Sequence, residues 1–230
     1  MKRAWAAEME VLMEIDRICK ENAIQYFADS GTLLGAVRHQ GFIPWDDDID
    51  ITMKRSDYEK FIKIAKTCLP SGWILLHPHY SIKAIWRNTF MRICNTDRIS
   101  FEEAHLDRFH GFPYPVGVDI FPLDNIPIDE DEKEIYCLLQ RYLYSAICLI
   151  KSKDTVTLES VLQELEILCN VVLPRDGNLL SEVLQLADKV CKMYEVDECN
   201  ELILSMWGLD KDNLYIYKKK LVCRSSGTSI

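Results

Sequence analysis

The chain has 230 residues, 48% of them hydrophobic and 27% charged, with a formal net charge of −9. That length suits one large domain, or a domain with a substantial appendage, and can bury a full core without staples. The acidic balance argues against a nucleic-acid binder or a protein drawn to anionic membranes, though not against a local cationic pocket for a phosphorylated small molecule.

In chain order, Trp5, Met9, Leu12, Ile15 and Cys19 recur at helical spacing among Glu8, Glu10, Glu14 and Arg17, which predicts an amphipathic helix over residues 3–22. Ile24–Ala28 reads as a short buried strand. Ser30 is positioned to cap a helix reaching Val37 or Arg38, and Gly31 and Gly35 allow close backbone approach. After a Gly/Pro loop over 41–45, Asp48-Ile49-Asp50-Ile51 alternates as a half-buried strand does. Ser56-Asp57-Tyr58-Glu59 has the capping-box pattern and opens a helix reaching Cys68. Short strands are expected at Trp73–Leu76 and Phe90–Cys94. Residues 102–115 read as a His/Gly/Pro-rich loop, and Gly117–Phe121 as a strand ended by Pro122.

Beyond Asp129 the period changes to 3.6. Three apolar stripes follow, led by Ile135–Leu149, Leu158–Val172 and Leu180–Tyr194. The expected fold class is therefore α+β: a mixed sheet with flanking helices, then a helical C-terminal half. The expected organisation is a catalytic region over 1–125, a helical region over 126–217 and a frayed tail over 218–230. Within that tail, the Lys218–Lys220 run reads as solvated in preference to a peripheral membrane contact.

Nine cysteines contain no C-x-x-C pair, and an odd number without a signal sequence points to a reducing, cytoplasmic setting. No stretch reaches the roughly 18 uncharged apolar residues of a membrane span. His77, His79, His105 and His110 lack the paired ligands of a zinc site.

Four aspartates in five positions, Asp46, Asp47, Asp48 and Asp50, are the strongest chemical signal. Like charges so close repel unless cations or protons offset them. If Ile49 and Ile51 face the core, Asp48 and Asp50 project together from the other face, roughly 6.5–7 Å apart, and Asp47 points away. Asp119, between Val118 and Ile120, joins them if its strand is a neighbour. Three hard oxygen ligands suit Mg²⁺, with Mn²⁺ the alternative ion. A Ca²⁺ loop is excluded: Ile51 and Asp57 stand where an EF-hand needs Gly and Glu.

Gly31–His39, Ile43–Ile51 and Val118–Asp124 closely resemble the LicD family of phosphocholine transferases, which share a nucleotidyltransferase-like fold and are related to the fukutin-type enzymes. The resemblance runs from Ile24 to Asp124 and includes Met91–Asn95. It implies transfer of phosphocholine, or a similar phospho-alcohol, from a CDP-linked donor such as CDP-choline to a sugar hydroxyl of a cell-surface glycan. It makes Asp48, Asp50 and Asp119 the metal-binding catalytic carboxylates, with Ser30, Gly31 and Thr32 at the phosphate. Arg38 and Arg92 are candidate phosphate clamps, with structural ion pairs as the alternative. His39 is a candidate substrate contact. Trp45, Trp86 and Tyr114 are candidate walls for a choline-type cation.

Nucleotidyl transfer to a small molecule uses the same carboxylates and is the rival enzymatic reading. A non-catalytic interaction module is a third, because no counterpart of the family's terminal substrate region is recognised after Trp207.

Overall fold

The structure, a computed structural model, describes residues 1–77, 88–195, 199 and 201–204 and the backbone of 216–218. The expectations for His79, Trp86 and residues 219–230 lie outside the described residues. Two compact units divide the chain, Met1–Pro122 and Leu123–Ile230.

The first unit opens with α1 (Lys2–Glu21), whose buried stripe is Ala4, Ala7, Glu8, Val11, Ile15, Ile18 and Cys19. The stripe is turned from the expected one, and Met9 is exposed. Small Ala4 and Ala7 permit close packing on that face, so they and not Met9 define it. There follow β1 (Phe27–Ala28), α2 (Ser30–His39), β2 (Ile49–Lys54), α3 (Arg55–Cys68), β3 (Ile74–Leu76), β4 (Met91–Cys94), α4 (Glu103–Arg108) and β5 (Gly117–Ile126).

The strands lie in the order β1-β2-β5-β4-β3, with β1–β2, β3–β4 and β4–β5 antiparallel. Ile49, Ile51, Met53, Phe61, Ile62, Met91, Ile93, Val118 and Ile120 join the α1 stripe in one core. Each fully buried side chain of this kind contributes about 1.5–3 kcal/mol through burial.

In the second unit, α5 (Glu130–Ser152), α6 (Thr155–Cys169) and α7 (Leu179–Cys191) bury their apolar stripes together, around Leu143, Ala146, Leu162, Leu165, Val183 and Ala187. Asp129 caps α5 by accepting from the Asp131 and Glu132 amides, and Asp154 caps α6 by accepting from the Thr157 amide. The end of β5, Leu123–Ile126, pairs antiparallel with β6 (Glu201–Leu204), which pairs with β7 (Ile216–Lys218).

Several local expectations are corrected. Pro122 does not end its strand. Pairing with β4 covers Gly117–Ile120 and pairing with β6 covers Leu123–Ile126, so proline falls between those two ladders. The expected loop over 102–115 contains α4. Helix α3 begins at Arg55, before Ser56, with no side-chain cap. The strands β6 and β7 were not read from the sequence; each is only three or four residues long, too short for a periodic signal.

Candidate active site

The centre of the first unit is the junction of α2 and β2. Asp29, not Ser30, is the N-cap of α2, and its Oδ1 accepts from the Ser30 amide at 2.8 Å. Ser30 is instead the first helical residue, in the left-handed region at φ 47°. Two further bonds staple the start of the helix to the strand. The Asp29 amide donates to the Asp50 carbonyl at 3.1 Å, and the Asp50 amide donates to Thr32 Oγ1 at 2.8 Å. Thr32 thus holds the Asp50 backbone, a role its place in the sequence did not suggest. The amides of the first turn of α2 carry the partial positive charge of a helix N-terminus.

Against this turn lies the acidic loop. A Cβ on Gly31 would come within 2.3 Å of Asp46 Oδ2, so only glycine lets that carboxylate approach the helix start. Asp46, Asp47 and Asp48 each offer a carboxylate oxygen within 4.8 Å of the others. Strand parity had turned Asp47 away. The strand begins only at Ile49, however, so parity does not govern the loop before it.

Asp50 and Asp119 stand outside that trio but within its electric field. Asp50 is buried, in a strand covered on both faces rather than half-solvated. Its carboxyl is pushed up to about 7, first by burial and then by the charges of Asp48, Asp119, Asp29 and Asp46. Asp48 is raised by burial and by Asp46, Asp47 and Asp119.

Asp119 sits directly opposite Arg92 across the β4–β5 ladder, and the guanidinium grips its carboxylate through Nε and Nη2. Burial pushes the Asp119 carboxyl up against the opposing pull of Arg92, while Asp119 raises the guanidinium. The ion pair foreseen as the alternative for Arg92 is therefore present. Arg38 and His39 lie at the other end of α2, about 12 Å from Ser30 along the axis. There the Arg38 Nε donates to His39 Nδ1 at 3.3 Å, and His39 meets the exposed Trp45 edge-on.

Two residues of α1 escaped the sequence reading. Trp5 stacks on Phe42 and its Nε1 donates to the Asp46 carbonyl at 2.8 Å, fixing the entrance of the acidic loop. One turn later Glu8 is buried, and its Oε2 has no hydrogen-bond partner among the described residues. Burial, then Asp48 and Asp47, push its carboxyl up to about 7. The signal available was a glutamate beside Ala4, Ala7 and Val11 on one helical face.

A divalent cation fits this donor set. The groups are hard carboxylate oxygens, crowded and partly buried; Asp48 and Asp50 are held above the normal carboxylate range, and Glu8 Oε2 has no partner among the described residues.

Residues 23–115 match the model of the LicD/FKTN/FKRP nucleotidyltransferase domain. Over these residues the chain is similar to the LicD family. The lipopolysaccharide cholinephosphotransferase LicD of Haemophilus influenzae is 30% identical over 135 residues, covering 58% of this chain and 47% of that protein. Uncharacterized proteins of Rickettsia typhi and Rickettsia prowazekii are 40% identical over 68 residues and 48% over 48. Those alignments cover 30% and 21% of this chain, and 22% and 18% of the two relatives. The chain spans about half the length, or less, of the curated relatives it matches. Within the matched span fall Ser30, Gly31, Thr32, Arg38, His39, Asp48, Asp50 and Arg92, whereas Glu8 and Asp119 lie outside it.

Proposed function

We propose that this protein is a Mg²⁺-dependent transferase that moves phosphocholine, or a similar phospho-alcohol, from a CDP-linked donor to a sugar hydroxyl of a cell-surface glycan. The observation that carries the reading is the meeting of an anion-favouring helix start, Ser30–Thr32, with the crowded carboxylates of Asp46–Asp50. One end suits phosphate oxygens and the other a cation that neutralises them. The likeness to a named cholinephosphotransferase supports the choice of alcohol.

Asp48, Asp50 and Asp119 are the residues that would hold Mg²⁺, or Mn²⁺ in its place. The bound ion would supply charge neutralisation on the donor's phosphate oxygens. The Gly31 amide and the Ser30 hydroxyl bind the phosphate, the Ser30 amide being held by Asp29. Arg92, already paired with Asp119, holds that carboxylate in place and adds positive charge beside it. Arg38 and His39, at the far end of α2, serve the outer part of the substrate.

In the reaction a sugar hydroxyl oxygen bonds to the donor's distal phosphorus. The bond from that phosphorus to the bridging oxygen breaks, CMP leaves with the electron pair, and a carboxylate of the cluster accepts the hydroxyl proton. The working compartment is the cytoplasm. Eight described cysteines are free, and no helix among the described residues is long and apolar enough to cross a membrane.

The test is to incubate the protein with CDP-choline and Mg²⁺, with and without a glycan acceptor, and identify the released nucleotide. Acceptor-dependent CMP that vanishes in Asp48→Asn and Asp50→Asn supports the proposal. Pyrophosphate released from a nucleoside triphosphate would establish nucleotidyl transfer instead. Neither product, with no metal-dependent thermal shift, would leave the interaction module.

A further inference from the structure

We infer that Glu8, on α1, is a further carboxylate of the cation site, so that the helix preceding the matched residues completes the centre. The assignment rests on the cation-dependent reading above and extends it to a residue outside the matched span.

Position comes first. The Trp5 indole donates to the Asp46 carbonyl at 2.8 Å, which pins the first turns of α1 to the mouth of the acidic loop. Glu8 is three residues on, hence on the same face of the helix. Its side chain does not run out to solvent as a helical glutamate ordinarily does; the residue is 3% exposed.

Compensation comes second. A buried carboxylate is retained only when a cation or hydrogen-bond donors offset its lost hydration. Glu8 Oε2 has no such donor among the described residues. The charges that act on it most are those of Asp48 and Asp47, both repulsive, ahead of the attraction of Arg92. Arg92 is itself engaged by Asp119 through two of its nitrogens. A buried oxygen without a partner among the described residues, set among aspartates of the same sign, is what a bound divalent cation would satisfy.

Packing alone does not account for it. Glu8 lies in a stripe of Ala4, Ala7, Val11 and Ile15, all apolar and buried, where an apolar residue would fill the space without an electrostatic cost.

The experiment is Mn²⁺ titration of the full chain, followed by electron paramagnetic resonance of the free ion, for the wild type, Glu8→Gln, Glu8→Asp and Asp50→Asn. The expected result is Mn²⁺ uptake by the wild type, lost in Asp50→Asn and weakened about 10- to 100-fold in Glu8→Gln, the range for losing a group that supports a metal site. Glu8→Asp, which keeps the charge on a shorter arm, should fall between. The metal-free melting temperature of Glu8→Gln should equal or exceed that of the wild type, so weakened uptake cannot be ascribed to misfolding. Wild-type affinity in Glu8→Gln, with loss in Asp50→Asn, would overturn the inference and leave the proposed function standing. No uptake by the wild type would overturn both.

Discussion

Carboxylates behave in opposite ways in the two units. In the second unit, Asp154, Glu159 and Glu166 are held below the ordinary range by partners built for them: the Thr157 amide and hydroxyl for Asp154, and the Arg175 guanidinium for both glutamates. In the first, Glu8, Asp48 and Asp50 are held above it by burial and by one another. The second unit's helical core is lined by apolar side chains, with Gln140 meeting the Cys191 sulfur; its buried carboxylate, Asp124, lies on β5. Those three acids of the second unit, Asp154, Glu159 and Glu166, each have a donor. Where acids are gathered and desolvated together, as Glu8, Asp48 and Asp50 are, the arrangement costs stability and marks a candidate functional site.

The sharpest break of that contrast is Asp50→Asn. Removing one of the crowded charges should cut acceptor-dependent CMP release about 10²- to 10³-fold or more, while the metal-free protein melts no lower than the wild type. A variant that loses both activity and metal-free stability would mean that Asp50 belongs to the architecture alone. In the second unit the opposite holds: Leu143→Ala, at a fully buried position among three helices, should cost about 2–5 kcal/mol in denaturant unfolding. Its metal affinity should not change.

The contrast also has a pH signature. Asp50 and Glu8 rise from ordinary values of 3.8 and 4.5 to about 7 in the folded protein, so the folded state retains protons that the unfolded state has released. Their contribution is therefore fully present below about pH 4 and lost as the pH rises through about 7. In metal-free calorimetry, the melting temperature of Asp50→Asn relative to wild type should climb across that window, and Mg²⁺ should cancel the gain. The second unit has the reverse sign: depressed acids contribute above the ordinary carboxylate pKa and lose that contribution as the pH falls. A gap independent of pH would remove the charge-crowding account. The smallest effect is expected at a helix cap, where Asp129→Ala should cost about 1 kcal/mol of stability and leave the pH signature unchanged.

Much of this was legible in the sequence because it is local. Helical periodicity marked α5, α6 and α7, and the alternation of Asp and Ile marked β2. The gathering of four aspartates singled out the candidate site before any strand order was known. What failed was whatever depended on packing. Parity turned Asp47 outward, yet the strand starts two residues later and the loop gathers three consecutive carboxylates. Ser30 looked like a cap by residue type, but Asp29 was equally qualified and is held by its bond to β2. Glu8 was invisible as chemistry, because its neighbours in the site are some 40 residues away in the chain and only the approach of α1 brings them together.

The central claim is that these carboxylates hold a CDP-linked donor for attack at its distal phosphorus. Phosphorus-31 NMR of CDP-choline with Mg²⁺, a glycan acceptor and the protein tests it most directly. The expected spectrum loses the two diphosphate resonances and gains CMP and one new phosphodiester that still carries choline. Free phosphocholine appearing with a cytidylylated acceptor would contradict the claim, as would an unchanged diphosphate.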